Sequence, residues 1–178
     1  MKLTRNILVI DDETRWLRTI NMVLSRHIPE ACTHTCENSR QALQLIADLD
    51  IALVLLDLNM PLLDGHQLLR DIRDHAPYVR IIVVTGLNDT EVAVECMKQG
   101  AYDFIAKTSS TEQLLLCVRR AMEVIGLERN YHRIKDGFFN RKSLRAFDPL
   151  LTTDIKMHDC FTYAASLSES CEYYFVRR

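Results

Sequence analysis

The chain has 178 residues, 48% of them hydrophobic and 26% charged, enough for one ordinary globular domain plus a modest appendage. A formal net charge of -2 gives no whole-chain case for nucleic acid or for an acidic substrate, so any basic patch has to be local. No run approaches the roughly 18 apolar residues of a membrane span, and Ile7 to Ile10 is too short for a signal sequence; a cytoplasmic location is expected, with no membrane partner.

Ile7 to Ile10 is the first of five short apolar runs and leads straight into Asp11, Asp12 and Glu13. Residues 13–27 place Trp16, Ile20, Val23 and Leu24 on one helical stripe. Ala31 to Cys36 is a weaker strand-like run in which Cys32, His34 and Cys36 alternate onto one face. Along a strand the two thiols lie roughly 13 Å apart at about 3.3 Å per residue. A single tetrahedral zinc holds its ligands about 2 Å away, so no metal is expected there. The six cysteines form no C-x-x-C pair and are expected as free thiols. Asn38 or Ser39 then caps a helix carrying Ala42, Leu45, Ile46 and Leu49. Ile51 to Leu56 is continuously aliphatic, the pattern of a strand covered on both faces. It ends at Asp57, and the turn from Pro61 to Gly65 feeds a helix with Leu68, Leu69 and Ile72. Ile81 to Val84 is another buried strand, followed by Thr85 and Gly86. Asn88 to Glu91 and Ser109 to Glu112 each set a capping side chain three residues before a glutamate. Gly100 suits a left-handed helix end, and the last strand, Tyr102 to Ala106, stops at Lys107.

Five β-α units of this length imply an α/β fold built on an open, parallel, doubly wound sheet with helices on both faces. Working sites in such sheets lie at the carboxyl ends of the strands. Those ends carry Asp11 and Asp12, then Asp57, Thr85 and Lys107. Carboxylates gathered in one pocket repel, so a cation has to sit among them. Donors that are all oxygen favour a hard ion such as Mg2+, whose charge keeps Asp57 ionised and nucleophilic. A transferring phosphoryl group spreads charge over three equatorial oxygens. Mg2+, the Lys107 ammonium and the Thr85 hydroxyl are the groups able to take one each.

Residues 3–125 resemble the response-regulator receiver domain, similar to the chemotaxis protein CheY. The resemblance rests on Asp11-Asp12, on Asp57 followed by Met60-Pro61 and Asp64-Gly65, on Thr85-Gly86, and on Lys107 preceded by Gly100-Ala101 and Phe104. It implies a flavodoxin-like, five-stranded sheet of order 2-1-3-4-5, Mg2+ as cofactor and Asp57 as phosphoacceptor. It also implies Asp12 as a direct Mg2+ ligand, Asp11 acting through water, and Asn59 offering its backbone carbonyl. Phe104 takes the place of the switch aromatic that turns inward when Thr85 moves; a ring packed permanently inside is the alternative. The family usually follows its lysine with a cis proline, whereas Thr108 stands here. A cis bond without proline costs about 3 kcal/mol, which leaves a trans or a strained loop.

Residues 126–146 are expected to be a linker. Leu127, Tyr131, Ile134 and Phe138 fall at helical spacing and suit a short coiled coil between protomers, while Gly126 and Gly137 oppose a long rigid rod. The basic residues between 129 and 145 are more often a solvated linker than a DNA contact. Residues 147–178 weakly resemble the opening of the AAA+-like ATPase domain of sigma-54-dependent, NtrC-like activators, with a helical tail as the alternative. DNA is expected only through an output domain outside these residues.

A two-component response regulator is therefore expected, phosphorylated by a sensor histidine kinase. Val92, Ala93, Cys96 and Met97, with Leu115 and Arg119, are expected to serve a phosphorylation-dependent homodimer with transcriptional output. A stand-alone receiver acting through protein–protein binding is the alternative. No enzyme activity is expected beyond slow Mg2+-dependent self-phosphorylation and self-dephosphorylation. A phosphatase of the haloacid dehalogenase class needs an acid two residues after its nucleophile, and position 59 is asparagine.

Overall fold

In the computed structural model, which describes residues 5–61, 64–86 and 90–139, the five apolar runs are five strands. These are β1 (Arg5–Ile10), β2 (Ala31–Cys36), β3 (Ile51–Leu56), β4 (Arg80–Thr85) and β5 (Asp103–Ala106). All neighbours pair in parallel, as the alternation of elements implies, and in the order β2-β1-β3-β4-β5 that the receiver resemblance implies. The connections are helical: α1 (Thr14–His27), α2 (Ala42–Asp48), α3 (Gly65–His75), α4 (Thr90–Lys98) and α5 (Thr111–Phe139). Strands β1 and β4 are longer than their apolar runs, because Arg5, Asn6, Arg80 and Thr85 pair through the backbone whatever their side chains. Strand β5 is shorter at its start, where Tyr102 precedes the ladder.

Side chains alternate across the sheet. Ile7, Val9, Leu53 and Leu55 pack on one face with Leu17, Ile20 and Leu24 of α1 and Val118, Ala121 and Met122 of α5. Leu8, Ile10, Val54 and Leu56 pack on the other with Ala42 and Ile46 of α2 and Leu68, Leu69 and Ile72 of α3. Every residue of β3 is buried. Each such aliphatic side chain contributes about 1.5–3 kcal/mol on burial, which makes β3 the least substitutable element.

Helix ends follow the expected chemistry with one shift of frame. Asn38 caps a single 3-10 turn, Ser39–Gln41, by accepting from the Arg40 N–H at 3.1 Å, and α2 follows. Ser109 does not cap α5: its N–H closes a turn onto the Ala106 carbonyl. Ser110 does, its hydroxyl accepting from the Gln113 N–H while Gln113 Oε1 accepts from the Ser110 N–H, both at 3.2 Å. Asn88 lies outside the described residues. Gly100 ends α4 at a φ of +93°, and the N–H groups of Gly100 and Ala101 return to the carbonyls of Met97 and Cys96.

The expected dimer surface needs correction. Cys96 is fully buried and Leu115 is 8% exposed, both turned into the core, while Arg119 donates to the His27 carbonyl at the end of α1. Met97 of the expected set is exposed on α4, joined there by Val94 and on the first half of α5 by Leu116. Contacts divide the chain after Ile125, and the whole sheet belongs to the first unit. Helix α5 runs on to Phe139 through Gly126 and Gly137, with Leu127 and Tyr131 exposed. The remaining linker residues from 140 and the segment 147–178 lie outside the described residues. No helix among the described residues is long and apolar enough to cross a membrane.

Candidate functional site

Strand pairing brings the acids together. The Asp11 N–H donates to the Cys36 carbonyl and the Asp57 N–H to the Ile10 carbonyl, so each acid sits one step past its strand with the ladder still holding its backbone. Each carboxylate then closes a tight turn. Asp11 Oδ1 accepts from the Glu13 N–H at 2.8 Å and Asp57 Oδ1 from the Asn59 N–H at 3.1 Å. These turns fix both carboxylates and turn the second oxygen of each toward the Lys107 ammonium. Asp64 uses the same bond to cap α3. Gly65 next to it is required by space: a Cβ there would overlap Leu58 Cα and approach the Asp57 carbonyl oxygen within 2.8 Å.

The carboxylate oxygens of Asp11, Asp12 and Asp57 lie within 4.8 Å of one another, Asp11 and Asp57 buried and Asp12 exposed. Lys107 reaches into this group from the end of β5. Its ammonium stands 2.7 Å from Asp11 Oδ2, 2.8 Å from Asp57 Oδ2 and 3.2 Å from Glu13 Oε1. Its backbone N–H donates to the Thr85 carbonyl, tying the lysine to the end of β4. The described residues contain no cis peptide bond, so the link to Thr108 is trans. Thr85 is fully buried. Phe104 pairs with Val83 in the ladder and lies on the same sheet face as Thr85, half-buried against the α3 side of the core. Asn59 is exposed beside Asp57.

The electrostatics follow from burial. Desolvation pushes the Asp11 carboxyl above its ordinary range, against the opposing pull of Lys107 and the Glu13 N–H. For Lys107, burial disfavours the ammonium, but its close pairing with the Asp11 and Asp57 carboxylates more than offsets it, so its pKa is raised. Asp11 Oδ2 has the ammonium opposite it yet no hydrogen bond in line, an uncommon state for a buried carboxylate oxygen. Three close carboxylates with an underused buried oxygen fit a hard divalent cation such as Mg2+.

Residues 7–119 match the family model for the response regulator receiver domain. The chain belongs to this family. Among relatives, the regulatory protein AtoC of Escherichia coli K12 is 31% identical over 134 residues, 75% of this chain and 29% of AtoC. The DNA-binding transcriptional regulator NtrC of the same organism is 32% identical over 117 residues, 64% of this chain and 24% of NtrC. Among solved structures, NtrX from Brucella abortus in complex with ADP is 32% identical with a TM-score of 0.66, over 76% of this chain and 30% of that one. A CheY-like receiver from Methanospirillum hungatei JF-1, 24% identical, matches 70% of this chain and 98% of its own with a TM-score of 0.65, which bears on the fold alone. The chain thus spans less than a third of AtoC, NtrC and NtrX.

Two neighbours of the receiver's lysine were not singled out from sequence. Glu13 stood in view at the end of the first strand, and its glutamate reaches Lys107. Helical spacing puts Trp16 on the apolar stripe of α1, whereas the centre of its ring also lies 5.2 Å from the Lys107 ammonium. No sequence signal links residues so far apart in the chain.

Proposed function

We propose that this receiver takes a phosphoryl group onto Asp57 from the phosphohistidine of a sensor histidine kinase. The observation that carries this reading is the Lys107 ammonium seated between Asp57 and Asp11, with Asp12 in the same carboxylate cluster. Asp57 is held by its Asn59 turn with one oxygen toward the cleft, so it can attack phosphorus without reorienting. The donor's P–N bond breaks as the new O–P bond forms, and the imidazole nitrogen keeps the bonding pair. Lys107 then exchanges a carboxylate partner for a phosphoryl oxygen and offsets the charge that develops there. Asp12, Asp57 and the Asn59 carbonyl would hold Mg2+, with Asp11 acting through water. When bound, the ion supplies Lewis-acid stabilisation of the phosphoryl oxygens.

The acyl phosphate adds roughly one to two negative charges at the strand ends. Thr85, buried at the end of β4, supplies the hydroxyl that answers them, and Phe104 shares its face of the sheet, so an inward shift of Thr85 opens space for the ring. Asp57 is the acceptor for slow self-phosphorylation by small donors and for slow self-dephosphorylation, without turnover of an external substrate. The protein works in the cytoplasm. Similarity to NtrC, a DNA-binding transcriptional regulator, favours transcriptional output over a stand-alone receiver, through sigma-54-dependent machinery as the resemblance of residues 147–178 implies, with DNA reached only through an output domain.

Acetyl phosphate with Mg2+ is expected to add one phosphoryl group to the wild-type chain, seen by intact mass, and none to Asp57→Asn. Labelling that persisted in Asp57→Asn would move the acceptor elsewhere.

A further inference from the structure

Among the described residues the Lys107 ammonium faces three acids, Asp11, Asp57 and Glu13, and one aromatic ring. Asp11 and Asp57 belong to the cluster that a divalent cation would claim, and such an ion repels an adjacent ammonium. Glu13 is a weak tether, its side chain 65% exposed. The aromatic neighbour, the Trp16 ring at 5.2 Å, does not compete for metal. Its ring is half-buried and packed against the core on the α1–α5 face. It also walls a cavity of about 260 Å³ with Thr19, Ile20, Leu114 and Lys107, so the lysine stem runs beside open space on that side. A four-carbon stem beside a cavity has many rotamers to lose, and a fixed ring with a negative face selects among them.

We propose that Trp16 is a positioning residue for Lys107: its indole face keeps the ammonium beside the Asp57 carboxylate while the neighbouring acids hold a metal ion. The inference rests on the phosphoacceptor reading above. It adds that the transfer rate depends on an aromatic face at position 16, not on apolar volume there.

Three variants of the full chain separate the two. Trp16→Leu keeps apolar bulk without a ring, Trp16→Phe keeps a ring, and Val23→Ala trims a neighbouring side chain that packs against the same core. With acetyl phosphate and Mg2+ as the probe, Trp16→Leu is expected to slow Asp57 labelling by about 3-fold to 30-fold, the range of a partly desolvated cation–π contact. Trp16→Phe is expected to recover most of that loss, and Val23→Ala to stay within about twofold of wild type. Trp16 is the chain's single tryptophan, so tryptophan emission reports on this side chain alone. Lys107→Met is therefore expected to shift that emission with neither donor nor metal present, a readout that does not require Trp16→Leu to fold. Trp16→Leu labelling at the wild-type rate, Trp16→Phe as slow as Trp16→Leu, Val23→Ala as slow as either, or unchanged emission in Lys107→Met would each overturn the positioning role. A folded wild-type chain that took no label would instead overturn the phosphoacceptor reading.

Discussion

Lys107 carries its charge into a nearly closed cleft, its side chain 13% exposed. Desolvation favours the neutral amine, but the Asp11 and Asp57 carboxylates raise its pKa above the ordinary 10.5. A basic group shifted upward adds stability that is fully present below its unfolded pKa and is lost as pH rises through the folded value. The contribution is therefore constant through neutral pH and begins to fade only above about 10.5. Asp11, raised by burial from 3.8, is the complementary case: its ionised form is disfavoured there and needs a cation beside it. Lys107→Met leaves two buried carboxylates without that neighbour, a loss on the order of 3–5 kcal/mol for a fully buried pair. In EDTA at neutral pH the variant is expected to melt below wild type. Added Mg2+, supplying the missing charge, is expected to raise its melting midpoint more than that of wild type. Equal midpoints in EDTA would show that Lys107 does not neutralise the cluster.

Helix α5 begins four residues after Lys107, so its first turn fixes where the Lys107 loop ends. Ser110 and Gln113 satisfy one another's backbone N–H groups there. Ser110→Ala is expected to lower stability by about 1 kcal/mol in urea titration, with Ser109→Ala much closer to wild type. If Ser109→Ala proved the more damaging, the capping frame would be one residue earlier. That ambiguity shows why helix ends were harder to read than strands. Consecutive residues Ser109-Ser110 and Glu112-Gln113 offer the same pairing in two frames, and only the turn made by the Ser109 N–H decides between them. By contrast β3 runs over the expected residues, because Ile51–Leu56 has no polar residue to blur its limits. The site was legible for a related reason. Parallel strands deliver their carboxyl ends to one edge, so acids and a lysine placed after separate strands meet once the topology is known. What topology leaves open is orientation around a helix axis. Cys96 and Leu115 turn inward where the sequence suggested a surface, and Trp16, read as core, also faces the lysine.

At the scale of the whole molecule, three exposed apolar side chains lie on the elements that flank β5, the strand that delivers Lys107, whereas Met22 on α1 and Tyr78 ahead of β4 are exposed elsewhere. Val94 and Met97 on α4 are each 48% exposed and Leu116 on α5 is 50% exposed. Scattered surface hydrophobics need no explanation, but several beside the strand that ends in the proposed phosphate partner suit a surface whose state depends on the site. Phosphorylation adds charge next to Lys107 and Thr85, and any shift of Thr85 and Phe104 moves the ends of β4 and β5 that these helices cover. Two copies that met through this surface would bury the same apolar side chains twice, as a twofold interface requires. Beryllofluoride with Mg2+, a phosphoryl mimic that needs no donor, is expected to convert the chain from monomer to dimer in size-exclusion chromatography with light scattering. Met97→Glu, which sets a charge on each side of that contact, is expected to keep it monomeric while Asp57 is still labelled by acetyl phosphate. A wild-type chain that stayed monomeric with the mimic bound would favour a stand-alone receiver that signals by binding other proteins. A dimer that persisted in Met97→Glu would place the contact elsewhere, with Leu127 and Tyr131, 70% and 65% exposed on the later part of α5, the next residues to change.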